Sequence, residues 1–94
     1  MLTNHAEIRA KQRGVESQII ELLLKYGDSI PARHNAKIRV FNKTAIAKVK
    51  RKYGHDFVSK NHEKFRAYLV QARDNNNVIT VGKRYSNLRQ FFKN

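Results

Sequence analysis

The chain has 94 residues, 40% of them apolar, with 20 Lys and Arg against seven Asp and Glu and no cysteine, for a net charge of +13. One domain of this length buries about 60–65% of its unfolded surface, enough for a core but with a modest margin. The composition argues against disulfides and thiolate metal sites, and the lack of a long apolar run or a basic-then-apolar leader predicts a cytoplasmic chain with no membrane contact.

In chain order, Thr3 or Asn4 can cap a first helix over 5–12, and Gly14 is its natural left-handed stop. Glu16 and Ser17 reopen a second helix whose Ile19, Ile20, Leu22, Leu23 and Leu24 form the densest apolar stretch, ending at Gly27. Pro31 marks a connection, and the alternation Lys37-Ile38-Arg39-Val40-Phe41 predicts a short strand. Asn42 can cap a third helix over 43–53, with Ala45, Ile46, Val49 and Tyr53 on one side and Gly54 as its stop. Residues 56–64 suit a further helical turn or two. Arg66 to Arg73 and Val78 to Gly82 read as a strand pair around Asp74-Asn75-Asn76-Asn77, because Asn tolerates the positive φ of tight hairpins. A short helix is expected from Tyr85 to Asn94. These elements predict an α+β domain, with an N-terminal helical pair on an antiparallel sheet of about three strands and an inserted basic helix.

The charge is unevenly spread. Residues 1–32 balance four basic groups against four acidic ones, so the entire excess falls in 33–94, and no acidic residue occurs from 29 to 55. Such an excess repels itself unless a polyanion discharges it, and phosphate backbones do so with release of condensed counterions. RNA or DNA is therefore the expected partner, against the alternative of a well-solvated basic surface.

Three segments can carry the chemistry. His5, Arg9 and Arg13 recur every four residues and fall within about 80° of helical arc, with Gln12 roughly 20° beyond His5. Two guanidinium groups can hold a phosphate and the charge that develops on it, while an imidazole can move a proton. The plainer alternative is salt bridges or packing contacts with the sheet. Gly82-Lys83-Arg84-Tyr85 leaves the last strand, where cations and an aromatic suit phosphate and base contacts, unless Tyr85 simply closes the core. Lys48, Lys50, Arg51 and Lys52 give the third helix a basic face that can track a backbone without specifying sequence. Here the alternative is an ordinary solvated face. His55, Asp56, His62 and Glu63 are weakly spaced for a metal, and the few scattered carboxylates argue against a two-metal nuclease. No metal or cofactor is expected.

The stretch Asn4-His5-Ala6-Glu7-Ile8-Arg9-Ala10-Lys11-Gln12-Arg13-Gly14-Val15, followed by an apolar helix ending in Tyr26-Gly27, resembles a small bacterial family filed as a domain of unknown function. The similarity continues at Tyr68-Leu69-Val70 and from Val78 to Tyr85. Many members of that family are encoded on mobile elements or beside antitoxins. The family is in turn loosely similar to the RelE and BrnT type toxins, compact α+β ribonucleases of toxin–antitoxin pairs. The resemblance implies RNA cleavage without a metal, with His5, Arg9 and Arg13 on the polar N-terminal helix and Arg84 and Tyr85 at the last strand exit. The basic face also suits a protein–protein module that meets an acidic partner, such as an antitoxin tail. In that family a His often follows the final Val-Gly, where this chain has Lys83, a poor base at neutral pH unless its pKa is depressed. The sequence thus predicts a toxin-like endoribonuclease with catalytic His5, Arg9, Arg13, Arg84 and Tyr85. Gln12, Lys48, Lys50, Arg51, Lys52 and Lys83 are its expected nucleic-acid contacts. The other expectation is a non-catalytic nucleic-acid-binding module or regulator of a mobile element.

Overall fold

The computed structural model describes residues 1–85. The elements run α1 (Asn4–Arg13), α2 (Ser17–Tyr26), β1 (Asp28–Ala32), β2 (Ala36–Val40), α3 (Lys43–Tyr53), α4 (His55–Lys60), a 3-10 turn (His62–Arg66), β3 (Ala67–Ala72) and β4 (Val78–Lys83). The strands form one antiparallel sheet in the order β1-β2-β3-β4. The fold is therefore α+β, with four strands where three were expected. The additional strand, β1, contains Pro31, a residue whose sequence context predicts a connection. Proline has no N–H to give, and an edge strand is where a sheet tolerates it. The helix expected from Tyr85 onward lies, Tyr85 apart, outside the described residues.

Local chemistry sets the boundaries. The Thr3 hydroxyl accepts from the Ala6 N–H at 3.1 Å and caps α1, and Gly14 closes that helix at φ 66°. Asn42 caps α3 in the same way, its Oδ1 accepting from the Ala45 N–H at 2.9 Å. Between the strands, His34 and Asn35 turn the β1–β2 hairpin and Asn76 the β3–β4 hairpin, all at positive φ. Gly27 ends α2 differently, in an extended conformation, and a Cβ there would stand 2.4 Å from the Leu23 carbonyl oxygen.

α2 supplies the core with Ile19, Ile20, Leu22 and Leu23, which share one cluster with Ala45 and Val49 of α3, Leu69 of β3 and Val78 and Val81 of β4. Phe41 and Phe65 pack edge to face within it, ring centres 4.9 Å apart. The buried Gln71 is satisfied on both sides: its Oε1 accepts from Arg39 Nε at 2.9 Å and its Nε2 donates to the Asn76 carbonyl at 2.9 Å. Arg39 also donates to the Gly27 carbonyl at 3.0 Å, so one cation of the excess ties β2 to the end of α2.

α1 lies along β4. Leu2 bridges Val78 in parallel, with the Thr3 N–H donating to the Val78 carbonyl at 3.0 Å and the Val78 N–H to the Met1 carbonyl at 2.9 Å. The Thr3 hydroxyl donates to the Ile79 carbonyl at 3.3 Å. Ala6 and Ala10 then turn into the core, and their small side chains let the helix approach the strand closely. Ile8, which flanks the polar stripe in sequence, points away and is 55% exposed.

Candidate nucleic-acid interface

Because α1 presents Ala6 and Ala10 to the core, its polar stripe is turned along the border with the sheet. His5, Arg9 and Arg13 line one wall of a groove of about 360 Å³, and Tyr68, Thr80, Gly82 and Lys83 form the other. Residues more than sixty positions apart thus share one cleft. Arg9 is half-buried there, whereas His5 and Arg13 are exposed and reachable from solvent. Gln12 is exposed and does not line the groove. On the helical wheel it lies on the rim of the stripe farthest from Ala6 and Ala10, so it turns away from the sheet.

The sheet wall depends on a close approach. Tyr68 and Gly82 are cross-strand partners, and a Cβ at position 82 would stand 2.7 Å from both Cζ and the hydroxyl oxygen of the Tyr68 ring. The phenol therefore lies over bare backbone, and Tyr68 lines the groove beside it. Lys83 reaches the other way, to the end of α1. A Cβ at Gly14 would be 3.8 Å from its amine, which places the ammonium near the partial negative charge of a helix C-terminus.

Lys83 also lines a second hollow, of about 430 Å³, with Glu63, Lys64, Arg66, Arg84 and Tyr85. Here the β3–β4 ladder continues one step past the sheet, as the Arg84 N–H donates to the Arg66 carbonyl at 2.9 Å. The bond fixes the two arginines side by side. Burial and the neighbouring Arg66 guanidinium both push the Arg84 pKa below its ordinary value, burial the more strongly. Lys64 is partly neutralised by Glu16, Nζ to Oε1 at 2.7 Å, a half-exposed pair of small energetic weight. Tyr85 does not close the core: it is 80% exposed on the rim. Arg66 and Arg84 also border a smaller, more apolar cavity of about 180 Å³ formed with Ile46, Val58, His62 and Phe65.

Of the residues singled out in the sequence, His5, Arg9, Arg13 and Lys83 meet in the groove, and Lys83, Arg84 and Tyr85 meet in the hollow. Lys48, Lys50, Arg51 and Lys52 are exposed along α3 and line neither. The lining residues not foreseen as contacts include Tyr68, Thr80, Glu63, Lys64 and Arg66. Tyr68 and Thr80 sit in strands whose alternation announces a sheet but not what stands beside it. Arg66 ends the 3-10 turn that leads into β3, where a lone arginine carries no distinguishing signal. No helix among the described residues is long and apolar enough to cross a membrane. In comparisons with known proteins, no family model, no curated protein and no solved structure matches this chain.

Proposed function

We propose that the groove between α1 and the β3–β4 end binds single-stranded RNA and cleaves it without a metal, as a toxin-type endoribonuclease. The observation that carries this reading is the meeting of His5, Arg9 and Arg13 with Tyr68 and Lys83 around one open cleft. In the reaction the His5 imidazole takes the proton of a 2′-hydroxyl as that oxygen bonds to the adjacent phosphorus. Arg9 and Arg13 hold the non-bridging oxygens while charge builds on them. The bond to the 5′-oxygen of the next nucleotide breaks, and a donor on the sheet wall, Lys83 or Tyr68, protonates it. The products are a 2′,3′-cyclic phosphate and a 5′-hydroxyl. Arg84 and Tyr85, in the adjoining hollow, stand beside the reacting phosphate rather than upon it. The same cationic cleft would receive the acidic segment of an antitoxin.

Purified protein incubated with single-stranded RNA in EDTA, or with ribosome-bound message, should yield fragments with those two ends. His5→Ala should slow cleavage by about 10²–10⁴-fold and Arg9→Ala by about 10²–10³-fold. Intact RNA under every one of these conditions overturns the nuclease step.

A second reading, a module that binds nucleic acid without cutting it, is favoured by α3. Its Lys48, Lys50, Arg51 and Lys52 are all exposed and the helix has no acidic residue. Under that reading, neutralising these four weakens binding more than His5→Ala does.

A further inference from the structure

The mechanism proposed above uses one phosphate, yet the cationic surface does not end at the groove. Lys83 lines both the groove and the neighbouring hollow, and the hollow adds Arg66 and Arg84. Tyr68 and Arg66 are two residues apart on one chain segment, and Gly82 and Arg84 two residues apart on the other. Two residues of extended strand span roughly 7 Å, close to the step between successive phosphates of an extended single-stranded chain. The exposed Tyr85 ring at the rim offers a face on which a base can stack.

We propose that the hollow of Arg66, Lys83 and Arg84 is a second phosphate subsite, occupied by the phosphate next to the one in the groove, with the intervening or following base against Tyr85. The ligand is then an extended single strand carrying at least two phosphates, and a dinucleotide with one phosphate fills only half of the surface. This rests on the groove's being a phosphate site. A nucleic acid fits better than an acidic peptide, because a carboxylate segment has no use for the exposed aromatic placed beside the cations. The ladder bond holds the backbones of the two arginines side by side, so the fold fixes the points from which both side chains extend.

The test uses 2′-O-methyl oligonucleotides, which bind without being cut. Affinities of the dinucleoside monophosphate and of the same compound bearing a terminal phosphate, at the 5′ end in one arm and the 3′ end in the other, are measured by calorimetry at fixed salt. In the wild-type protein the added phosphate at one of the two ends should tighten binding about tenfold. In Arg66→Ala that gain should fall close to one, and in Lys48→Ala, an equal loss of charge on a different surface, it should persist. A tenfold gain retained in Arg66→Ala, or no gain at either end in the wild type, overturns the subsite. So does a hexaglutamate peptide that binds more tightly than either phosphorylated compound. The groove fails by a different result, an Arg9→Ala protein that binds the monophosphate as tightly as the wild type does.

Discussion

The ring of Tyr68 lies across Gly82 so closely that any Cβ there would stand 2.7 Å from its hydroxyl oxygen. Gly82 has no positive φ to explain it, so the residue is required by its neighbour's ring and not by its own backbone. Gly82→Ala should force the phenol out of the groove and cost about 1–3 kcal/mol, the range for overpacking a tight contact. The denaturant midpoint measures this, and in a Tyr68→Ala background the same substitution should cost far less. The pair also shows what a sequence hides at this scale. Tyr68 and Gly82 read correctly as strand residues, but fourteen positions separate them and no local spacing announces that they touch. Gln12 shows the converse: spacing put it on the stripe, but the direction from which the sheet approaches leaves it outside.

α1 brings all three of its groove residues into place at once, so its anchorage matters more than any one of them. The helix is held by the Thr3 cap, by the bridge of Leu2 to Val78, and by Ala6 and Ala10 in the core. Thr3→Ala removes the cap and the hydroxyl's bond to Ile79. It should cost about 0.5–2 kcal/mol, visible as a lower melting temperature, and should slow cleavage although no groove residue has changed. Elements with strong end signals were legible. Asn42 and Gly54 bounded α3 at residues 43–53, and Gly14 adopts the left-handed stop it was read to be. β1 was not, because Asp28-Ser29-Ile30-Pro31-Ala32 has one large apolar residue and a proline, too little alternation to declare a strand. Its partner declares it, since β2 is an internal strand that must be paired on both edges.

Among the described residues, three sets of cations can be told apart. Arg39 and Lys64 are committed to Gln71, the Gly27 carbonyl and Glu16. Arg9, Arg13, Lys83, Arg66 and Arg84 border the groove and hollow, while α3 carries a separate exposed set. The sequence showed that an excess existed and in which two-thirds of the chain, but two of its cationic contacts come from the balanced first third. Only the packing of α1 beside β4 joins them to the rest. If single-stranded RNA lies in the groove and hollow with one phosphate in each, the logarithm of affinity should fall with that of salt at a slope of about −1.4. Replacing Lys48, Lys50, Arg51 and Lys52 by Gln should leave that slope nearly unchanged. A titration from low to moderate salt measures both.

The two margins of the sheet also decide how the protein behaves toward copies of itself. One margin, β4, is occupied at its start by Leu2 and flanked by α1, and the other, β1, has Pro31 near its centre. Neither presents the uninterrupted row of free amides on which strands of separate molecules polymerise. A small, highly charged domain is thereby shielded from edge-to-edge aggregation on one margin by Leu2 and α1 and on the other by a single imino acid, at the position that made the strand hard to see.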